Sequence, residues 1–464
     1  MDSIKLEKII RRLMRKRNTP GMAISVIQNN QPIYAKGFGS RNLKKFQEMD
    51  ADTLIGIGSI TKSFTAFAIM KLQEQGKLSI EDSAAKFLPA EPFSSRPGIK
   101  VKHMLSHSSG IPSLDAGMLG FTYAFDDFSC VYPATSRDDF LAHLADADEF
   151  ILYEPGEKFF YNNDMYTCLG FIVEQLSGIS FAQFVQQEIL DPLEMNRAVF
   201  TQAGIDNDPE ANAMTGYIFD TKNGKRVAFA SDVPIDGHLQ APGGLYVSMN
   251  EMLNYAQCLL NDGTFNGQQV LTPESVNTLF TGQIQTPYGA GDNPLYALGW
   301  SIEEPSIDTP HRVVHHGGGM CTSQSFMVLV PELNLGISIA ENASTGIAPL
   351  VARVVIAELL GQDSEEVIED LRIAKAIDDI KGTYKSAYDM YDLTVGMKGG
   401  VLQCDLEIDD GSMSFPLNTV DLNKLEFAPY SLRSVNKGRV VFQRNAQTGR
   451  VEFAAYDRFM YRRV

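Results

Sequence analysis

The period of the apolar positions changes along the chain, and each change marks a region. In residues 1–18 apolar side chains recur at helical spacing between basic ones and never form an unbroken run, which predicts a basic amphipathic helix. "GMAISVIQNNQPIYAKGFGSRN" alternates on both sides of Asn29–Asn30, as a β-hairpin does. "GIGSITKSFTAFAIMKLQEQGKL" then keeps Ile60, Phe64, Phe67, Ala68 and Leu72 on one helical face, with Gly76 at a C-cap. From about Ile80 to Gln240 helical segments alternate with turns, and no strand alternation is expected. A further capped helix follows in "GGLYVSMNEMLNYAQCLLNDG". "SQSFMVLVPELNLGISIAEN" reads as two strands joined at Pro331–Asn334, before a helix near Ala348–Leu360.

Strands at both ends of a helical middle predict an α+β domain whose sheet is assembled from both termini. After the charged stretch "GQDSEEVIEDLRIAKAIDDIKG", about eight short alternating runs from Gly382 onward predict a small antiparallel barrel or sandwich. The expected organisation is a basic helix over 1–18, an α+β domain over 19–378 and an all-β domain over 379–464, with the boundary near Asp378.

Charge narrows the class. The formal net charge is −17; residues 1–18 carry +5 and residues 380–464 carry +2, so residues 19–379 hold −24. Such a surface repels a phosphate backbone and argues against nucleic acid as a partner. No stretch has the apolar length of a membrane span or a secretory core, so the reading is a chain without a span, with its N-terminal helix packed on its own domain. Cys130, Cys168, Cys258, Cys321 and Cys404 are widely spaced and form no CxxC pair, which argues against a disulfide framework and a zinc site. A reducing, cytoplasmic compartment is the expectation.

Candidate chemistry comes in three fragments. Ser-x-x-Lys occurs at Ser59/Lys62, Ser83/Lys86 and Ser434/Lys437, but only the first opens a long helix, where residues three apart share a face. Lys62 there can activate the Ser59 oxygen, whereas the plain structural reading makes Ser59 a helix cap. "FFYNND" holds the chain's single Tyr-x-Asn, Tyr161 and Asn163, after the turn "EPGEKF". A nearby ammonium would favour the Tyr161 phenolate as a general base, and the Asn163 amide could orient a carbonyl. "VVHHGGGM" places His315 and His316 before three glycines, where a substrate backbone can approach closely. Taken singly, the tyrosine reads as core and the histidine pair as an incident of a turn.

Two further features read as structural. His103 and His107 in "HMLSHSSG" have the i, i+4 spacing of a metal pair but lack a third ligand and the glutamate of HExxH. Asp409 and Asp410 precede Gly411 in an expected hairpin turn.

The order Ser-x-x-Lys, Tyr-x-Asn, His-x-Gly resembles the penicillin-recognising serine hydrolases, specifically the class C β-lactamase-like group of D-aminopeptidases, DD-peptidases and esterases. "IGSITKSFTAFAIMKLQEQGKLSIED", "VKHMLSHSSGIP", "EPGEKFFYNNDMYTCLGFIVEQLSG", "APGGLYVSMNEMLNYAQCLLNDG", "YALGWSIEE" and "HHGGG" resemble family segments in family order, from about Pro20 to Leu360. The resemblance implies Ser59 as the acylated nucleophile, Lys62 as its proton partner, Tyr161 as general base, and Asn163 as binder of the acyl-side amide. His316 and Gly318 would take the place of the usual Lys-Thr/Ser-Gly, and the N–H groups of Ser59 and Gly319 would form an oxyanion hole. His315–His316–Gly317 also satisfies the motif; His316 is preferred because it leaves Gly319 at the oxyanion position.

The chain departs from the family where "MCTSQSF" replaces a further glycine, so Met320 and Cys321 are expected to narrow the site, with Cys321 read as packing. The C-terminal runs and the "KGTYKS" start are similar to the lipocalin-like barrels of D-aminopeptidases and of an archaeal peptidase of this group. Such a barrel would shape the cleft, make subunit contacts, or only add stability.

The resulting expectation is a serine hydrolase acting on short peptides, D-residues included, without metal or cofactor, and with homo-oligomerisation open. An esterase or β-lactam hydrolase shares the chemistry; a scaffold that has lost turnover is the alternative of another class. The acidic middle region would suit a cationic substrate with a free amino terminus.

Overall fold

The computed structural model describes residues 2–114, 136–222, 225–230, 237–289, 293–306, 309–408, 411–430 and 438–464. Cys130, Ser434, Lys437, Asp409 and Asp410 lie outside the described residues. The chain forms two compact units, 1–356 and 357–464.

The first unit is built on a nine-stranded antiparallel sheet. Its strands are β1 (Gly21–Gln28), β2 (Gln31–Asn42), β3 (Gln47–Glu48), β4 (Ile284–Gln285), β5 (Leu295–Tyr296), β6 (Ser301–Glu303), β7 (Val313–Met320), β8 (Ser323–Val330) and β9 (Leu335–Glu341). They lie in the order β4-β5-β6-β7-β8-β9-β1-β2-β3. β1 pairs with β9 from Met22↔Glu341 to Gln28↔Leu335, so the sheet is closed by segments from opposite ends of the unit. Asn29 and Asn30 both take positive φ, 51° and 61°, the geometry that a tight β1–β2 turn demands and that asparagine tolerates.

Helix α1 (Ser3–Arg17) starts at Asp2, whose carboxylate accepts from the N–H groups of Ile4 and Lys5, and ends at a left-handed Asn18. Leu6 and Ile10 are fully buried, so the helix spends its apolar face on its own unit. Helix α2 (Thr61–Glu74) departs from the expected single apolar face: every residue from Thr61 to Met70 is buried. It is the central helix of the unit, walled by α3 (Asn163–Ser177) and the 240–243 turn, which explains why even Thr65 must find a partner, donating to the Ala241 carbonyl at 2.7 Å. Gly76, at φ 70°, closes α2 as its sequence position implied. Helix α4 (Met249–Leu260) carries a reciprocal Ser248–Glu251 capping box and covers β1 and β9.

The expectation of no strands between about Ile80 and Gln240 does not hold. Tyr217–Lys222 and Lys225–Ala230 pair as a hairpin around an Asn-Gly sequence, a turn signal outweighed by the helical segments on either side.

The second unit holds an eight-stranded closed barrel, with strands Gly382–Ser386, Asp392–Lys398, Val401–Ile408, Gly411–Asp421, Glu426–Pro429, Val440–Arg444, Val451–Tyr456 and Phe459–Arg463. Closure removes the edges that an open sheet of short strands would expose. The units divide before Ala357, inside helix α5 (Ala348–Leu359), rather than near Asp378. The charged stretch before the barrel belongs to the second unit: helix α6 (Glu369–Ile380) contributes Ala376 and Ile380 to the barrel core beside Tyr384, Leu393 and Phe442. Among the described residues no single helix is long and apolar enough to cross a membrane.

Glu341, at the end of β9, is fully buried and accepts from the Thr345 hydroxyl and the N–H groups of Ile347 and Ala348 at the start of α5. Burial nevertheless pushes its carboxyl up to about 7. Below the unfolded value the two states bind the same proton. As pH rises toward 7 the unfolded chain ionises first and stability is lost, by about 3 kcal/mol at most. Glu341→Gln removes this titration, so its stability relative to wild type, measured by urea unfolding, should improve steadily between about pH 5 and about pH 8; a constant difference would show that Glu341 ionises normally.

Candidate active site

Ser59 lies in a single 3₁₀ turn, Gly58–Ile60, that runs directly into α2. Its side chain does not cap the helix; Ile60 holds the N-cap position without a side-chain bond. Gly58 has φ 53°, and a Cβ on it would stand 2.6 Å from the Gly319 nitrogen, so only glycine lets this turn meet β7. One turn into the helix Lys62 is fully buried. Its ammonium nitrogen lies 2.9 Å from Ser59 Oγ, 2.8 Å from Asn163 Oδ1 and 2.8 Å from the Pro242 carbonyl. Burial drives its pKa well below the ordinary lysine value.

Tyr161 and Asn163 arrive from the loop that leads into α3. Asn162 caps α3 by accepting from Met165 N–H, which leaves Asn163 as the first helical residue. The loop is held from below: Phe160 N–H donates to the His107 carbonyl at 2.8 Å and Asn162 N–H donates to His107 Nδ1 at 3.0 Å. Lys62 Nζ sits 4.8 Å from the centre of the Tyr161 ring.

Proximity to Lys62 does not, however, favour a Tyr161 phenolate. Burial raises the Tyr161 pKa far above the ordinary tyrosine value, and the hydrogen bond with Ser59 only partly opposes it. The physical reason is symmetrical: the desolvation that would make a phenolate costly also strips Lys62 of its charge, so the stabilising ammonium is itself disfavoured.

β7 supplies the third side. β6 pairs only with Val313–His315, whereas β8 pairs along β7 to Met320; from His316 onward one edge of β7 has no strand partner among the described residues. Ser323 and Ser325 of β8 donate to the Gly56 and Ile57 carbonyls at 2.7 and 2.6 Å, clamping the segment before Ser59 onto the sheet. Alternation along β7 separates the two histidines. His316 is buried, its ring 6.4 Å from that of Tyr161, with Nε2 2.9 Å from the Tyr296 hydroxyl and Nδ1 2.6 Å from the Gly317 carbonyl. Burial, reinforced by Lys62, holds it down to about 3, so it is neutral. His315 faces the other side of the sheet, against Phe326 and 3.3 Å from Glu303.

Thus Ser59, Lys62, Tyr161, Asn163, His316, Gly318 and Gly319 all converge, from segments more than 250 residues apart. Asn163 spends its carbonyl oxygen on Lys62, leaving its amide N–H₂ for other partners. Such a constellation can take a proton from a hydroxyl, hold it in a dry site, and present backbone N–H groups to a developing oxyanion.

Two expectations change: Met320 is buried with Leu239 and Tyr246 rather than narrowing the site, and Cys321 is exposed rather than packed. Residues that spacing did not reveal are Tyr166, Tyr296 and His107. The buried His107 ring lies 4.3 Å from Tyr161, 4.8 Å from Tyr296 and 5.1 Å from Tyr166, while His103 accepts from Lys100 N–H. Among the described residues no cluster of three metal-ligating side chains forms.

The Beta-lactamase family profile matches residues 6–359. The chain belongs to the Beta-lactamase family. Its fold is that of this family, which is typically one of serine hydrolases, and of penicillin-binding protein homologues. The octameric penicillin-binding protein homologue from Pyrococcus abyssi shares 30% identity at a TM-score of 0.84, covering 99% of this chain and 100% of that one. The penicillin binding protein from Bacillus halodurans, at 24% identity and a TM-score of 0.60 over 76% of this chain and 98% of that chain, shares the fold. Protein flp of Staphylococcus aureus (strain N315) is 24% identical over 353 residues, 74% of this chain, which spans 64% of flp's length. The N-acetylmuramyl-L-alanine amidase of Bacillus subtilis (strain 168) is 26% identical over 365 residues, 70% of this chain and 77% of the amidase.

The glycines of β7 give a sharp test of the geometry. A Cβ on Gly318 would lie 1.8 Å from the Ile57 carbonyl oxygen and 2.4 Å from Ser325 Oγ, whereas one on Gly319 meets nothing within 4 Å. Gly318→Ala should therefore cost about 1–3 kcal/mol or more in urea unfolding, and Gly319→Ala under about 0.5 kcal/mol. Equal costs would contradict the close approach of β7 to Ile57.

Proposed function

We propose that this protein hydrolyses amide bonds of short peptides, peptides containing D-residues foremost, through an acyl-enzyme on Ser59. The observation that carries the reading is the dry placement of Lys62 Nζ, 2.9 Å from Ser59 Oγ, with its charge suppressed by burial. A neutral amine in that position is a base. As Ser59 Oγ bonds to the substrate carbonyl carbon, its proton passes to Lys62, and the N–H groups of Ser59 and Gly319 receive the oxyanion. Tyr161, a neutral phenol, donates its proton to the departing amine and is reprotonated from Lys62; water then adds to the ester and the proton path runs in reverse. Asn163 N–H₂ binds the acyl-side amide, and the His316–Gly318 segment forms the wall beside it. No metal or cofactor enters this scheme.

The amide preference draws support from the amidase and penicillin-binding protein homologues among the relatives. The octameric Pyrococcus homologue supports self-association of this chain, and the free thiols of Cys168, Cys258, Cys321 and Cys404 support a cytoplasmic setting.

Hydrolysis of paired D- and L-alanyl chromogenic amides, a chromogenic β-lactam and a short-chain ester, by wild type and Ser59→Ala, tests the reading. Serine-dependent turnover biased to the D-amide is expected; turnover of the ester or lactam alone would replace the substrate class. A folded protein whose Ser59 takes up no fluorophosphonate would favour a non-catalytic scaffold. Lys62→Met should lower kcat by about 10²–10⁴-fold. Because the neutral form of Lys62 is the working one, kcat/KM should be lost only as pH falls through its depressed pKa, placing the acid limb well below the lysine range; an acid limb near the ordinary lysine value would contradict this role.

A further inference from the structure

Tyr296 lies in "YALGW", far in sequence from each of the three fragments, yet it is buried among them. Its ring packs 4.8 Å from His107 and 5.4 Å from Phe159, and its hydroxyl stands 2.9 Å from His316 Nε2. The other ring nitrogen of His316, Nδ1, is 2.6 Å from the Gly317 carbonyl oxygen. A carbonyl only accepts, so Nδ1 must carry the proton; a neutral imidazole has one N–H, so Nε2 must be a lone pair and the Tyr296 hydroxyl must be its donor. The opposite arrangement, with His316 donating from Nε2 and Tyr296 donating to Tyr166, would press two lone pairs together at 2.6 Å. Tyr166 spends its own proton on the Leu105 carbonyl at 2.6 Å, so its oxygen is a second acceptor open to the Tyr296 hydroxyl, and the Gly317 carbonyl decides between the two.

The glycines that follow have no side chains with which to fix their own peptide planes. One edge of β7 carries no strand partner there among the described residues. The His316 Nδ1–H bond to the Gly317 carbonyl is thus a side-chain restraint on the run that ends at Gly319.

We propose that Tyr296 is a positioning residue: by donating to His316 Nε2 it fixes the Nδ1–H form of that ring, which holds the Gly317 carbonyl and so aims the Gly319 N–H toward the Ser59 side of the site. The kinetic part rests on the hydrolase reading above; the spectroscopic part does not. The groups facing His316 are Lys62, Tyr161, Tyr296 and His107, with His315 on the opposite face, and none is a carboxylate.

The test is ¹⁵N NMR of the full chain labelled at histidine nitrogens, with His316→Gln to assign the signal. Wild type should show His316 with its proton on Nδ1. In Tyr296→Phe the acceptor Nε2 loses its donor while the Gly317 carbonyl still holds Nδ1–H, so the unprotonated Nε2 signal should move downfield, toward that of a ring nitrogen without a hydrogen bond. With the amide substrates, kcat should fall by about 10-fold with little change in KM, the scale of one lost hydrogen bond. Should Tyr296→Phe fail to fold, the wild-type spectrum still decides the first step: an Nε2–H signal for His316 overturns the proposal. So does an unchanged Nε2 signal in the folded variant, or an Nε2 signal that moves while kcat holds. If Ser59-dependent turnover is absent altogether, the hydrolase reading fails and the tautomer assignment stands or falls on the spectra alone.

Discussion

The desolvation of one lysine governs this site. Lys62 is sealed in the centre of the first unit by a helix buried on every side, and its amine is met by a serine hydroxyl, an asparagine carbonyl and a backbone carbonyl. A charged amine there would carry a penalty of several kcal/mol that three oxygen partners only partly offset. Burial thus favours the neutral amine, whose lone pair is held within hydrogen-bonding distance of an oxygen that can lose a proton. The same dryness keeps Tyr161 a phenol and His316 a neutral ring. One environmental cause therefore sets three protonation states, and it pushes the acid and the base in opposite directions, as proton transfer between them requires.

Around that centre, glycine and serine act as spacers. Gly58 and Gly318 bring the turn of Ser59 and the strand of His316 into backbone contact, and Ser323 and Ser325 fasten the two together from the neighbouring strand. That side of the site is thus made almost wholly from backbone. It tolerates little change at positions where a methyl group would fall inside a carbonyl, whatever the chemistry of the added side chain.

The local part of this arrangement was legible in the sequence. Ser59 and Lys62 sit one helical turn apart, and helical geometry alone puts them on one face; Tyr161 and Asn163 follow a turn and precede a cap. The glycine run after His316 announced a close approach, and the eight alternating runs after Gly382 announced the barrel. What could not be read has physical causes. The Pro242 carbonyl that accepts from Lys62 is a backbone atom and has no side-chain signature. Tyr296 touches His316 only because β5 and β7 lie in one sheet, and no spacing encodes that. An apolar stripe on α2 shows one face, whereas its polar residues are buried too because each finds a partner across the core. The phenolate expected at Tyr161 followed from a pairwise charge argument, and solvent exclusion reversed it. The charged segment before Gly382 reads as part of the first domain because its two barrel-core residues, Ala376 and Ile380, are few against many surface charges.

The pairing of β1 with β9 places Met22 opposite Glu341, so the central sheet stays open until most of the first unit has left the ribosome. During synthesis β1 and β2 form a hairpin with one long apolar edge waiting for a partner more than 300 residues away. Such an edge invites pairing with other chains. The last strand to arrive also brings β7 and its glycines into register beside Ser59. Assembly around Ser59 is thereby tied to completion of the sheet: a half-made chain carries Ser59 and Lys62 without the β7 glycines that stand beside them.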